Sequence, residues 1–198
     1  MRLRPGDFEP VLEVAGLMAR CPAEWFLVGG WAIDVFVGAL TRDHDDVDVG
    51  VARQHQAAAR RLLPGWRYEK VVPVESTLVR EAWAEDEWLD LPVHEIHAHS
   101  PSGRHLEFLL LERRGDEWFY RRDPRVTLAW RLLGFTSPLG VTVLAPEVAL
   151  LFKAKGDRGR DQADFETALP RLDRERRRWL RAALEAAHPG HRWLAELG

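Results

Sequence analysis

The feature that most constrains the fold of this chain is a glycine pair, Gly29-Gly30, followed by two alternating acids in Asp46-Val47-Asp48. The apolar residues 25–28 predict a short buried strand that leads into the glycine turn. Residues 31–37 predict a helix that Gly38 ends, because glycine readily adopts the left-handed conformation at a helix C-terminus. The alternation of acids and valines predicts a second strand with both acids on one face. The sequence therefore predicts one connected strand–helix–loop–strand unit.

Each half of this unit suits one part of a nucleoside triphosphate. Unpaired backbone N–H groups at the start of a helix bind phosphate, and glycines let the phosphate approach closely. Two carboxylates on one face of a strand are hard oxygen ligands of the kind that hold Mg²⁺ together with phosphate oxygens. A solvated acidic turn is the alternative, but flanking valines draw the strand into a core, where adjacent like charges need a compensating cation. The pattern therefore predicts chemistry on a nucleoside triphosphate.

The segments 29–34, 41–42 and 44–48 resemble the aminoglycoside and lincosamide nucleotidyltransferases, which belong to the DNA polymerase β-like nucleotidyltransferase superfamily. The match is specific over residues 25–51 and loose elsewhere. The resemblance implies an α/β (α+β) fold, with a small mixed sheet, helices on one side of it and a helical C-terminal part.

The resemblance also implies an activity and the residues that perform it. It implies Mg²⁺, a nucleoside triphosphate donor, for which we expect ATP, and transfer of a nucleoside monophosphate to a hydroxyl. Gly29 and Gly30 take the phosphate-loop role, and Asp46 and Asp48 take the metal-ligand and catalytic roles.

The family needs a third carboxylate on a later strand, and Glu107 is the candidate. It is the only acid inside the predicted strand 104–112, where apolar neighbours flank it on both sides. An acid inside a buried strand needs a partner, and a magnesium site supplies one. Because the family usually has aspartate there, three roles stay open for Glu107: metal ligand, general base or neither. Glu112, at the end of the strand on the opposite face, is expected to be solvent-exposed.

Three cationic side chains are candidates for contacting the phosphates. Arg42 and His44 lie between the two halves of the motif, although either can instead hydrogen-bond to neighbouring acids. Lys153, which we prefer to Lys155, resembles a lysine of several nucleotidyltransferases that precedes an Asp-x-x-Asp segment, here residues 161–164. A lysine beside a triphosphate neutralises charge as pyrophosphate leaves. The alternative is that both aspartates cap a helix and pair with arginines on the surface.

The chain is expected to divide near residue 145. Residues 1–145 would form the nucleotidyltransferase-like domain and residues 146–198 a C-terminal helical region, although the two parts can also pack as one unit. Helices are predicted over 7–21, with Asp7 as the N-cap, and over 54–63, 147–155, 161–168 and 173–187. Short strands are predicted around 68–72, 77–83, 93–98 and 104–112. Residues 116–144 stay unassigned apart from a strand or turn at 118–120.

Composition limits the class of protein. A chain of 198 residues, 46% of them hydrophobic, is long enough to bury a core. The net charge of −3 gives no global attraction to nucleic acid. The single cysteine, Cys21, excludes an intramolecular disulfide and fits a reducing compartment. Without a signal-peptide pattern or an apolar run of membrane-spanning length, we expect a cytoplasmic protein with no membrane partner.

The acceptor is the least constrained part of the predicted reaction. Residues 81–90 combine five acids with two tryptophans, and an acidic, aromatic edge attracts a cationic sugar. This favours a small hydroxylated acceptor such as an aminoglycoside-like or lincosamide-like antibiotic. A solvated acidic loop whose tryptophans anchor it to the core is the alternative. The arginine-rich residues 171–181 are interleaved with acids, which favours an ion-paired surface over contacts with tRNA phosphates.

Two other functions and one other metal remain as alternatives. The chain can be a toxin-like nucleotidyltransferase that acts on tRNA, or a non-catalytic nucleotide-binding module in which Glu107 marks a lost catalytic acid. A zinc site made by His94, His97 and His99 is disfavoured, because on a strand residues 97 and 99 face one way and residue 94 the other.

Overall fold

The computed structural model describes residues 4–156 and 158–198, so Asp157, between Lys155 and the Asp-x-x-Asp segment, lies outside the described residues. Within them, the helices are α1 (Glu9–Met18), α2 (Gly29–Val37), α3 (Gln56–Leu62), α4 (Pro146–Lys153), α5 (Gly159–Ala168) and α6 (Arg174–Ala187). The strands are β1 (Trp25–Leu27), β2 (Asp48–Ala52), β3 (Arg67–Val74), β4 (Thr77–Ala82), β5 (Glu95–His99), β6 (His105–Leu111), β7 (Arg113–Arg114), β8 (Glu117–Tyr120), β9 (Asp123–Ala129), β10 (Gly134–Thr136) and β11 (Thr142–Leu144). None of the described helices is long and apolar enough to cross a membrane.

Eight of the described strands form one mixed sheet in the order β10-β11-β1-β2-β6-β5-β3-β4. The pairs β1–β11 and β2–β6 are parallel, and the other neighbours in this sheet are antiparallel. Strands β7, β8 and β9 form a second, antiparallel sheet. The predicted α/β fold, with a mixed sheet, flanking helices and a helical C-terminal part, is confirmed.

The strand–helix–strand unit predicted from the glycine and aspartate motifs is present as β1, α2 and β2. Gly38 follows α2 in the left-handed conformation, with φ of 76°, and its N–H donates to the carbonyl of Asp34 at 2.8 Å. β1 and β2 run antiparallel with Leu27 opposite Val49. The C-terminal end of β1 and the N-terminal end of β2 therefore lie side by side, which places Gly29 beside Asp48.

Both faces of the large sheet are covered, which corrects the expectation of helices on one side only. The successive β1 residues Phe26 and Leu27 point to opposite faces, yet they are 1% and 0% exposed. Phe26 packs in a core that includes residues of α4, α5 and α6, whereas Leu27 packs in a core that includes residues of α1 and α3. A continuous apolar run such as 25–28 is typical of a strand buried on both faces, so helices are needed on each.

The C-terminal helices share one core with the sheet. Ile33 of α2, Leu150 of α4 and Phe165 of α5 belong to the same cluster of buried side chains, and the ring of Phe165 stacks on Trp193 at 4.2 Å between centroids. The change from β11 to α4 falls at the boundary proposed near residue 145. The core is continuous across this boundary, and the division into domains 1–145 and 146–198 stays a prediction.

Two local expectations are wrong. The first helix begins at Glu9 rather than residue 7, because Asp7 lies in a preceding 3₁₀ turn and makes no capping hydrogen bond. Glu112 is 5% exposed rather than solvent-exposed. The guanidinium of Arg53, which follows β2, donates to the Glu112 carboxylate with Nε at 2.9 Å and 3.0 Å from its two oxygens. This pairing compensates the burial of the Glu112 charge.

Candidate active site

The turn from β1 into α2 brings backbone against the carboxylate of Asp48. The N–H of Val28 donates to the carbonyl of Asp48 at 3.0 Å, and Gly29 has φ of +69°. A Cβ added at Gly29 would lie 3.0 Å from Cγ of Asp48 and would overlap its carboxylate oxygen. A Cβ added at Gly30 would lie 2.6 Å from Cε1 of His44. Glycine is therefore required at both positions to leave room for the site at the N-terminus of α2.

Three carboxylates meet beside this turn. Asp48 on β2 lies directly opposite Glu107 on β6 in the parallel pairing, and Asp46 immediately precedes β2. One ligand oxygen from each of the three lies within 4.8 Å of the others. Burial, and then the charge of Asp46, raises the pKa of Asp48 to about 6. Burial, and then the charges of Asp48 and Asp46, raises the pKa of Glu107 to about 9. Such mutual repulsion in a partly buried site is relieved by a bound cation.

A hydrogen-bonded support fixes the loop that carries Asp46. The indole Nε1 of Trp31 donates to the carbonyl of Asp46 at 2.9 Å, and the Trp31 ring stacks on His44 at 4.3 Å. Nε2 of His44 lies 2.7 Å from Oδ2 of Asp34. Asp34 also accepts from the backbone N–H of Thr41 at 3.1 Å and from the Thr41 hydroxyl. Asp34, fully buried, thus positions the loop, and its signal in the sequence was a lone acid in an apolar helix.

A second network ties this loop to α4 and α5. Nζ of Lys153 lies 2.6 Å from Asp164 and 3.3 Å from Asp161, and both aspartates are buried. The Arg42 guanidinium donates to both oxygens of Asp164, from Nε at 3.0 Å and Nη2 at 3.2 Å. Burial opposes ionisation of Asp164, yet Arg42 and Lys153 together hold its pKa below the ordinary value. The alternative holds in part, because the exposed Arg158 donates to Asp161 at 2.6 Å. It is wrong for Asp164, which pairs with Arg42 and Lys153, and both aspartates are buried rather than on the surface.

A cavity of about 400 Å³ lies beside the glycine turn and the three carboxylates. Every site residue predicted from the sequence lies on its wall: Gly29, Gly30, Arg42, His44, Asp46, Asp48, Glu107 and Lys153. The structure thus brings the predicted residues together around one space. Their roles as metal and nucleotide ligands stay predictions.

The cavity also has a cationic wall, of which only Lys155 was considered as a phosphate contact from the sequence. It is formed by Arg121, Arg122, Lys155, Arg158 and Arg160. The guanidinium carbons of Arg121 and Arg122 lie 4.9 Å and 5.7 Å from the ring centre of Phe152. Burial, and then the charge of Arg122, lowers the pKa of Arg121 to about 10, so it stays charged at neutral pH. A cationic wall in the same cavity as three carboxylates suits a polyphosphate bound through a metal ion.

Two charged segments considered for substrate contact lie elsewhere. The lining of this cavity includes none of residues 81–90, and the buried indole of Trp83 donates to the carbonyl of Glu87 at 2.9 Å. On α6, Arg176 pairs with Glu147 at 2.6 Å and Arg181 with Glu185 at 3.0 Å. These contacts match an anchored acidic loop and an ion-paired helix.

Comparison with known proteins agrees with this geometry. The family model described as aminoglycoside-2''-adenylyltransferase matches residues 10–133, a range that includes the glycine turn and all three carboxylates. No curated protein matches the chain by sequence.

Among solved structures, the chain is similar to the solution structure of the antibiotic-resistance factor ANT(2'')-Ia. The TM-score is 0.58 at 16% identity, and the match covers 91% of this chain and 92% of that one. A crystal structure of ANT(2'')-Ia in complex with adenylyl-2''-tobramycin has a TM-score of 0.56 at 17% identity, covering 88% and 94%.

A third solved structure is the lincosamide antibiotic adenylyltransferase LnuA in its lincomycin-bound form. Its TM-score is 0.50 at 16% identity, and the match covers 84% of this chain and 97% of that one. At these identities the solved structures show a shared fold. Membership of a family is shown by the family model, which matches more than half of the sequence. The chain therefore belongs to the aminoglycoside-2''-adenylyltransferase family and is a nucleotidyltransferase.

Proposed function

We propose that this enzyme transfers a nucleoside monophosphate from ATP to a hydroxyl of an aminoglycoside-like or lincosamide-like antibiotic, with Mg²⁺ as the metal. One observation carries the proposal: the ligand oxygens of Asp46, Asp48 and Glu107 lie within 4.8 Å of one another beside the glycine turn. The family and the antibiotics named for the two similar adenylyltransferases support the substrate class.

The donor set fits Mg²⁺. All three candidate ligands are carboxylate oxygens, which magnesium prefers over nitrogen or sulfur. Their burial and mutual repulsion raise the pKa of Asp48 and of Glu107, so a divalent cation would stabilise the ionised forms. When bound, Mg²⁺ supplies charge neutralisation at the phosphates and a template that orients the triphosphate.

The chain itself binds the rest of the donor. The unpaired N–H groups at the start of α2 donate to phosphate oxygens, and Gly29 and Gly30 permit their close approach. Arg121, Arg122 and Lys155, which line the same cavity, neutralise the pyrophosphate as it leaves. Lys153 and Arg42 are held on the cavity wall by Asp164, which sets their positions relative to the carboxylates.

Glu107 is proposed to take the proton of the acceptor. The acceptor hydroxyl oxygen forms a bond to the α-phosphorus, the bond to pyrophosphate breaks, and the hydroxyl proton passes to the Glu107 carboxylate. The bound cation would keep Glu107 ionised, so that its carboxylate could accept the proton at neutral pH. The acids Asp45 and Glu95, which also line the cavity, would attract the amines of a cationic acceptor.

The test is transfer of label from each α-labelled nucleoside triphosphate, with Mg²⁺, to a panel of aminoglycosides, lincosamides and tRNA. Asp46→Asn and Asp48→Asn should each abolish transfer. Asp43→Asn, an exposed acid on the same loop, should retain it and serves as the matched control. Full activity in both aspartate variants would refute the metal site. Label on tRNA alone would favour the tRNA-modifying alternative, and tight triphosphate binding without transfer would favour the non-catalytic one.

A further inference from the structure

Beyond the three carboxylates, the same sheet face carries a cluster of imidazoles. In the antiparallel pairing of β5 and β6, His97 lies opposite Glu107 and His99 lies opposite His105. Side chains at alternate positions of a strand share a face, and opposite residues lie about 5 Å apart at Cβ. All four side chains therefore stand together on one face. His105, on β6, is the partner that the disfavoured zinc site on β5 alone lacked.

Three of these side chains each bring one ligand atom within 4.8 Å of the other two. Nδ1 of His97 lies 2.8 Å from Nε2 of His105 and 3.2 Å from Oε1 of Glu107. Nε2 of His105 lies 4.0 Å from the same Glu107 oxygen. In a tetrahedral zinc site with bonds near 2.0–2.1 Å, ligand atoms lie about 3.3 Å apart. The three observed separations straddle that value.

The orientation of His97 is set by a carboxylate on its far side. Nε2 of His97 lies 2.8 Å from Oε1 of Glu95, and because an ionised carboxylate only accepts, we assign the ring proton of His97 to Nε2. Nδ1 of His97 then accepts a hydrogen bond from Nε2 of His105, and a metal ion bound to both nitrogens would replace that proton. A carboxylate that holds the outer N–H of an imidazole is the usual support of a metal-ligating histidine. His97 is 1% exposed and its ring stacks on His105 at 5.0 Å, so its direction is fixed.

We propose that His97 Nδ1, His105 Nε2 and a Glu107 oxygen form a binding site for a divalent transition metal, with Zn²⁺ the best fit. Imidazole nitrogens favour zinc over magnesium, whereas the all-carboxylate set at Asp46 and Asp48 favours magnesium. Glu107 borders both sites. His105 and Glu107 are partly exposed, with side chains 30% and 17% accessible, which leaves an entry path and an open fourth position. The site goes beyond the proposed transfer reaction, with which it shares Glu107.

The test is Co²⁺ titration of the metal-free full-length protein, read by visible absorption, followed by displacement with Zn²⁺. We expect intense visible bands of a four- or five-coordinate site, and their loss when Zn²⁺ is added. His105→Ala, and His105→Asn as a second variant of the partly exposed ligand, should weaken Co²⁺ binding at least about 100-fold. Glu95→Gln should weaken it roughly 10- to 100-fold, because it removes the outer support.

Two controls separate this site from its neighbours. His99→Ala removes a ring of the same stack that lies outside the ligand set, and Asp46→Asn removes a ligand proposed for magnesium. Both should keep Co²⁺ affinity within about threefold, even though Asp46→Asn should lose nucleotidyl transfer. Absence of visible bands in the wild type would overturn the proposal, and so would bands that persist in both His105 variants. Bands lost in Asp46→Asn but kept in His105→Ala would place the metal at the aspartates and would equally overturn it.

Discussion

Gly29→Ala is expected to raise the activation free energy by more than it lowers the free energy of unfolding. Gly29 has φ of +69°, and a residue with a Cβ pays about 1–2 kcal/mol in this left-handed region. The added Cβ would also lie 3.0 Å from Cγ of Asp48 and overlap its carboxylate, which must then turn away. A displacement of about 1 Å in a catalytic group costs on the order of 100-fold in rate, which corresponds to about 2.7 kcal/mol in the transition state.

Gly65→Ala is the matched control for the backbone cost. Gly65 has φ of +81°, and a Cβ added there meets nothing within 4 Å. In urea unfolding, both variants should therefore lose a similar amount of unfolding free energy relative to the wild type, about 1–2 kcal/mol. Initial rates of Mg²⁺-dependent nucleotidyl transfer should fall about 100-fold only in Gly29→Ala. Equal activity of the two variants would refute the reasoning that this turn and Asp48 act as one unit.

Three further substitutions test other contacts. Arg53→Ala should lower the free energy of unfolding by about 3 kcal/mol, because it leaves Glu112 buried and unpaired. Arg181→Ala, in an exposed pair, should lower it by less than about 0.5 kcal/mol. Equal losses of unfolding free energy in urea would contradict this. Because the folded state holds the pKa of Asp164 below its ordinary value of 3.8, its charge stabilises the protein above that pH, and the benefit disappears as pH falls. The difference in unfolding free energy between wild type and Asp164→Asn should therefore shrink on acidification, and a pH-independent difference would refute it. Arg121→Met should raise KM for the triphosphate about tenfold in steady-state kinetics, while the exposed control Arg131→Met should not. An unchanged KM in Arg121→Met would show that this side chain of the cationic wall does not contact the triphosphate.

Local patterns in the sequence predicted the part of the site that is built locally. The apolar run before Gly29, the helix up to Gly38 and the alternation around Asp48 each depend on residues close in sequence. Glu107 was recognisable as an acid among apolar neighbours on a strand. The register that places it opposite Asp48 follows from sheet pairing, which no local pattern reports.

The contacts that local patterns could not predict join distant residues. Arg42 and Asp164 are 122 positions apart, and Arg53 and Glu112 are 59 apart. Arg121 of the cationic wall lies in the segment 116–144, whose short strands have no clear periodicity. No pattern in that segment therefore predicted that Arg121 lines the site. Burial of charge in these pairs is settled by tertiary contacts, which explains why Glu112 was expected at the surface.

Binding of Mn²⁺ in place of Mg²⁺, together with a non-hydrolysable ATP analogue, tests the central claim most directly. Electron paramagnetic resonance counts the free and bound Mn²⁺ in the wild type, Asp46→Asn, Asp48→Asn and the loop control Asp43→Asn. We predict tight, nucleotide-dependent Mn²⁺ binding in the wild type and Asp43→Asn, and its loss in the other two variants. Undiminished binding in Asp46→Asn and Asp48→Asn would contradict the claim that these carboxylates hold the metal beside the glycine turn.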